Sequence, residues 1–124
     1  MYNWKNKTIV IVEDIDFNFL LMKKQLRNTN ANIIWLKNGQ ESVDYVKNDS
    51  KVDVILMDVR MPIMDGIEAT NIIKELKPEI PIIMQTACVI GNDYAEVKNS
   101  SCDDYIFKPI ITKDLLDMIN KYIK

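Results

Sequence analysis

The sequence predicts an α/β domain with a doubly wound, five-stranded parallel sheet. Three observations carry that expectation. Five short apolar runs rich in β-branched residues recur along the chain. Stretches with helical spacing fill the gaps between and after them. The whole chain is 124 residues, the size of one domain, and contains no internal repeat, linker or low-complexity segment. Strand and helix alternating five times require crossover connections, which place parallel strands in one sheet with helices on both faces.

The elements follow in order. Ile9 to Val12 is the first strand, and Leu20, Leu21 and Leu26 mark the apolar positions of the first helix. Ile33 to Leu36 is the second strand, followed by a helix anchored by Val43 and Val46. Val54 to Met57 is the third strand. Ile67, Ile72, Ile73 and Leu76 pattern the third helix, which Pro78 ends, since proline cannot continue a helix. Ile80 to Met84 is the fourth strand, and residues 91–99 form a helix with Tyr94, Ala95 and Val97 as its apolar anchors. Tyr105 to Phe107 is a weaker fifth strand. Thr112, followed by Asp114 and Leu115, reads as the capped start of a last helix that continues through Ile119, Tyr122 and Ile123. All five strands are expected to be buried on both faces.

Composition excludes several function classes. Sixteen Lys and Arg against eighteen Asp and Glu leave a net charge of -2, so the chain lacks the basic footprint of direct nucleic-acid binding or a polybasic membrane patch. No apolar run approaches the ~20 residues of a membrane span, and the run Ile9 to Val12 is too short for a signal-peptide core. Cys88 and Cys102 have no CxxC spacing, and the chain has no histidine to help them hold zinc. A reduced, cytoplasmic setting is the expectation.

Charged and hydroxyl groups stand where four of the five apolar runs end. The first leads into Glu13 and Asp14, the third ends on Asp58, the fourth runs into Thr86 and the fifth ends on Lys108. In open α/β sheets, sites form beyond the carboxyl ends of the strands. Three converging carboxylates repel one another unless a cation neutralises them. With only oxygen ligands present, the natural cation is Mg²⁺, which takes one or two carboxylates, waters and a substrate phosphate. Asp58 is then a candidate nucleophile for a phosphoryl group, with Lys108 balancing charge and Thr86 donating its hydroxyl. The three glycines build neither a P-loop nor a GxGxxG turn.

The runs IVIVEDIDFN, DVRMPIMDG, PIIMQTA and CDDYIFKPI together resemble the receiver domain of two-component response regulators, from Lys7 to Lys124. The resemblance implies a single receiver domain over residues 1–124 with its core at about 7–124 and a flavodoxin-like fold. It also implies phosphoryl transfer to Asp58 from a histidine kinase or a histidine phosphotransfer protein. By the same resemblance Asp14, Asp58 and the backbone carbonyl of Arg60 hold Mg²⁺, and Glu13 acts through water. Thr86 and Tyr105 are the switch pair, Lys108 is the phosphoryl-binding lysine, and the bond before Pro109 is cis. The helix over 91–99, the fifth strand and the last helix form the face a partner or a second copy would read. The chain is an acceptor and not itself a kinase. The Glu-Asp pair, the QTA triplet and the lead-in Trp4 to Thr8 are similar to receivers attached to hybrid sensor kinases, and Ser101 replaces a usual Gly.

Other readings are weaker. Asp14-Ile15-Asp16 resembles the nucleophile motif of haloacid-dehalogenase-type phosphatases, but no acidic pair follows a strand after Lys108, there is no room for a cap domain and Asp58 would be idle. A nucleotide- or flavin-binding module lacks its phosphate loop, and a degenerate docking domain would not keep the full set of acids, Thr and Lys. Asp65-Gly66 reads as a turn and helix start, and Met57, Met61, Met64 and Met84 as packing. Phe17, Phe19 and Leu20 exceed one apolar stripe, which leaves some exposed to serve as a partner surface. Cys88 and Arg60 flank the expected phosphoryl pocket.

Overall fold

The computed structural model describes residues 2–87 and 91–123. Five parallel strands form one sheet in the order β2-β1-β3-β4-β5, where β1 is Thr8–Val12, β2 Asn32–Leu36, β3 Val54–Asp58, β4 Ile82–Thr86 and β5 Asp104–Phe107. The helices are α1 Asp16–Leu26, α2 Gly39–Lys47, α3 Gly66–Leu76, α4 Asn92–Asn99 and α5 Thr112–Tyr122. The predicted doubly wound fold is the observed one.

Period-two alternation divides the core between the two faces. Ile9, Ile11, Val54, Leu56 and Ile83 pack with Phe19, Met22 and Leu26 of α1 and Leu115 and Ile119 of α5. Val10, Val12, Ile55, Met57, Ile82 and Met84 pack with Val43 and Val46 of α2, Ala69 and Ile73 of α3 and Val97 of α4. The four methionines read as packing do pack: Met57 and Met84 are buried, and Met61 and Met64 lie against the α2–α3 side.

Several sequence expectations are corrected. Only β1, β3 and β4 are buried throughout, whereas β2 and β5 are partly exposed because each is an edge of the sheet. The fourth strand starts at Ile82, after Pro81, which has no N–H to give the ladder. Leu20 and Leu21 do not form the packed stripe of α1; both are exposed, while Phe19, Met22 and Leu26 face the core. Leu76 of α3 is exposed as well. Thr112 is the first residue of α5 and not its cap; Ile111 precedes the helix with no side-chain cap. Ser101, in place of the usual glycine, avoids the left-handed region, and its N–H donates to Asn71 Oδ1 at 3.0 Å. The core begins before Lys7, since Trp4 is 5% exposed and packs with the α1–α5 side.

Two glycines place the loops that build the site. A Cβ on Gly66 would stand 1.9 Å from the Asp58 carbonyl oxygen, so only glycine lets the start of α3 sit against the end of β3. A Cβ on Gly39 would stand 2.5 Å from the Met64 carbonyl oxygen, which instead accepts from Gly39 N–H at 2.9 Å. Asp65 caps α3, accepting from Glu68 N–H at 2.9 Å, as the turn reading expects.

Candidate phosphoryl-acceptor site

Continuing the alternation along each strand explains why the site groups converge. Positions two beyond Ile11, Leu56, Ile83 and Ile106 are Glu13, Asp58, Gln85 and Lys108, all turned to the α1–α5 side at the carboxyl end of the sheet. Lys108 Nζ donates to Asp58 Oδ1 at 2.8 Å and lies 3.8 Å from Glu13 Oε1. The Lys108–Pro109 peptide is cis, as the resemblance implies.

Glu13, Asp14 and Asp58 each offer a carboxylate oxygen within 4.8 Å of the others. Glu13 is fully buried, Asp58 is buried and Asp14 half-buried. Burial raises the Glu13 pKa above its usual value, and the neighbouring Asp58 charge adds to the effect. The Ile15 N–H, which donates to Glu13 Oε2 at 3.2 Å, and the Lys108 charge oppose it. Glu13 Oε1 has no hydrogen-bond partner. An orphaned buried oxygen in an all-carboxylate cluster fits a hard divalent cation.

Thr86 is buried at the end of β4, and its carbonyl accepts from Lys108 N–H at 2.8 Å. Directly across from it on β5 is Phe107, while Tyr105 pairs with Met84 two residues earlier. Tyr105 is half-buried and packs edge-on against Tyr94 of α4 at 5.9 Å and against Phe107 at 5.7 Å. A hydrogen bond with Tyr94 raises the Tyr105 hydroxyl pKa.

The sequence reading gave Arg60 a role only through its carbonyl and its place beside the pocket. Its side chain also spans to α4: Nε donates to Asp93 Oδ1 at 2.9 Å, Nη2 pairs with both Asp93 and Glu96, and Nη1 lies 3.4 Å from Asp65 Oδ2. One guanidinium therefore ties the loop after Asp58 to the first turns of two helices. The reading also passed over Gln85, a visible polar break in an apolar run, and Phe107 and Tyr94 as ring partners of Tyr105. Cys88 lies outside the described residues. Of the apolar excess on α1, Phe17 and Leu20 are exposed with Ile15 and Leu21, and Phe19 is buried. Among the described residues no helix is long and apolar enough to cross a membrane.

Comparison with known proteins agrees with this geometry. Residues 9–120 match the family model of the response regulator receiver domain. Over 119 residues the chain is 36% identical to hybrid signal transduction histidine kinase G of Dictyostelium discoideum, covering 92% of this chain and 3% of that protein. It is 32% identical over 120 residues to the polar-differentiation response regulator DivK of Brucella anthropi, covering 94% of this chain and 96% of the relative. The chain thus spans a small part of the hybrid kinases it matches and nearly all of DivK. Among solved structures, the receiver domain of a Pseudomonas aeruginosa sensor histidine kinase, with a magnesium ion in its active-site cleft, superposes with a TM-score of 0.88 at 27% identity. That match covers 94% of this chain and 96% of that one. The receiver domain of a Saccharomyces cerevisiae response regulator, crystallised with a histidine phosphotransfer protein, gives 0.85 at 25% identity over 98% of this chain and 90% of that one. With its five-stranded parallel sheet, its cluster of acids and its lysine in place, this chain belongs to the response regulator receiver domain family.

Proposed function

We propose that Asp58 is the phosphoryl acceptor of this domain, taking the group from a phosphohistidine on a histidine kinase or a histidine phosphotransfer protein. The observation that carries the reading is the 2.8 Å contact of Lys108 Nζ with Asp58 Oδ1 beside the Glu13–Asp14–Asp58 cluster. An Asp58 carboxylate oxygen bonds to phosphorus as the donor's phosphorus–nitrogen bond breaks and the imidazole leaves, giving an aspartyl phosphate. The Lys108 ammonium neutralises charge on the transferring oxygens, and Thr86 donates its hydroxyl to one of them. Asp14, Asp58 and the Arg60 carbonyl would hold Mg²⁺, with Glu13 acting through water; the ion supplies charge neutralisation and orientation of the phosphoryl oxygens. The domain is the acceptor and supports loss of its own phosphoryl group, and it is not a kinase.

The apolar side chains Ile15, Phe17, Leu20 and Leu21 around α1, with Ile111, are exposed, and Leu21 lines a cleft with Glu13 and Lys108; this surface suits a helical phosphotransfer partner. The face of α4, β5 and α5 would present the switched state to a target or a second copy. A cytoplasmic location accompanies these partners, and direct contact with nucleic acid or membrane is not part of the reading.

Incubation with acetyl phosphate and Mg²⁺ tests the assignment. Wild type gains one phosphoryl group and Asp58→Asn gains none. Labelling that persists in Asp58→Asn and vanishes in Asp14→Asn assigns the nucleophile to Asp14 instead. Replacing Asp14 by Asn is expected to lower Mg²⁺ affinity at least tenfold by titration, about 1.4 kcal/mol, because it removes a charged ligand. Unchanged affinity removes Asp14 from the metal site.

A further inference from the structure

Residues 17–40 hold four cations, Lys23, Lys24, Arg27 and Lys37, and no Asp or Glu, in a chain whose net charge is -2. That stretch builds most of α1 and all of β2, so one edge of the sheet is locally basic. Lys23, Lys24 and Arg27 are exposed, and among the described residues none of the three forms an ion pair. They rim a groove of about 420 Å³ between α1 and β2, whose apolar lining includes Leu20, Ala31 and Ile33. The next acids in sequence, Glu41 and Asp44, belong to α2 on the opposite face of the sheet and accept from the Lys37 backbone N–H and from Gln40. Of the groove lining only Leu20 also belongs to the surface given to the phosphotransfer partner.

The backbone beside the groove is open as well. Asn32 N–H donates to the Lys7 carbonyl at 2.8 Å, and Glu13 N–H to the Leu36 carbonyl at 2.9 Å, which fixes the phase of the β1–β2 ladder. In a parallel ladder alternate residues turn their N–H and C=O to the same neighbour. Asn32, Ile34 and Leu36 therefore serve β1, while the N–H and C=O groups of Ile33 and Trp35 point outward from the edge. We propose that the β2 edge takes an extended acidic segment of a partner protein as an added strand. Its backbone pairs with Ile33 and Trp35, one apolar side chain enters the groove, and carboxylates on the same face meet Lys23, Lys24 and Arg27. A second copy of this chain does not suit the edge. Pairing β2 with β2 about a two-fold axis would bring both sets of cations together on one face of the joined sheet.

The test uses the peptide ETVTET, which sets Glu, Val and Glu on one face of a strand, with KTVTKT as the control. The full chain is titrated at low salt without a phosphodonor, so the outcome does not depend on whether Asp58 is the acceptor. ETVTET is expected to give saturable NMR shifts and slowed amide exchange at Ile33 and Trp35. Asn32, Ile34 and Leu36 should change much less, because their N–H groups are already bonded to β1. Lys23→Glu combined with Arg27→Glu changes only exposed side chains, and should weaken ETVTET about tenfold and bind KTVTKT in its place. Absence of a saturable shift overturns the proposal, as do equal responses to the two peptides or shifts that do not alternate along β2. Alternating shifts that arise from concentration alone, without peptide, would give the edge to a second copy and overturn it too.

Discussion

Ile63 carries a β-branched side chain at φ 72° and is 81% exposed. The left-handed region costs an L-residue about 1–2 kcal/mol, and no burial of the side chain offsets it. Ile63→Gly is accordingly expected to stabilise the fold by about 1 kcal/mol in urea unfolding; a destabilised variant would mean that the exposed side chain makes a compensating contact. Gly66 runs the other way. A methyl group at 1.9 Å from the Asp58 carbonyl oxygen must displace backbone, so Gly66→Ala should cost about 3 kcal/mol or more and lower phosphoryl uptake by moving Asp58. Glu13 gives a pH dependence. Burial raises its pKa above the ordinary 4.5, so the folded state keeps a proton that the unfolded state has already lost. Its contribution is full below pH 4.5 and is lost as pH rises through the folded value. Without Mg²⁺, wild type should lose stability relative to Glu13→Gln as pH rises from 4.5 toward neutrality; parallel curves for the two proteins would rule this out. The acids, Thr86 and Lys108 were legible in the sequence because they terminate apolar runs. The strain at Ile63 was not, since backbone angles leave no mark on composition.

At the scale of elements, α4 is held by few interactions. Val97 is its one buried side chain among the described residues, Tyr94 leans on Tyr105 and Phe107, and Arg60 reaches across to Asp93 and Glu96. Exposed ion pairs are individually weak, but this guanidinium joins three carboxylates at once. Arg60→Ala should speed amide exchange over residues 92–99 while leaving β3 and β4 protected; uniform exchange in both proteins would show that the clamp carries no stability. A phosphoryl group on Asp58 that draws the Thr86 hydroxyl would open space beside the rings of β5, and both of those rings, Tyr105 and Phe107, contact Tyr94 of α4. Thr86→Ala should then accept phosphate and yet lose half or more of the beryllofluoride-induced exchange change in 92–99; a full response would place the coupling elsewhere, with Arg60 the next candidate. The existence of α4 was legible from Tyr94, Ala95 and Val97. Its clamp was not, because Arg60 and Asp93 are 33 residues apart in sequence. The packed face of α1 was obscured for another reason: DFNFLLM is apolar on too many sides for periodicity to choose Phe19 and Met22 over Leu20 and Leu21.

Across the whole molecule, alternating periods of two and 3.6 were enough to set the architecture, because a crossover between parallel strands leaves few topologies open. Which strands are edges could not be read the same way, since NIIWL on the edge is as apolar as VILMD in the centre. The packed core starts earlier than the about 7–124 that the family resemblance implies. Trp4 N–H donates to the Thr29 carbonyl at 2.6 Å, its ring stacks with Tyr2 at 5.3 Å, and Tyr2 donates its hydroxyl to Asp117 of α5 at 2.7 Å. Those contacts make the first residues a bolt and not a swivel. A pull applied at Tyr2 would load α5 and the turn after α1 before it reached β1. A cut at Ile9, where the family match begins, would take the bolt away.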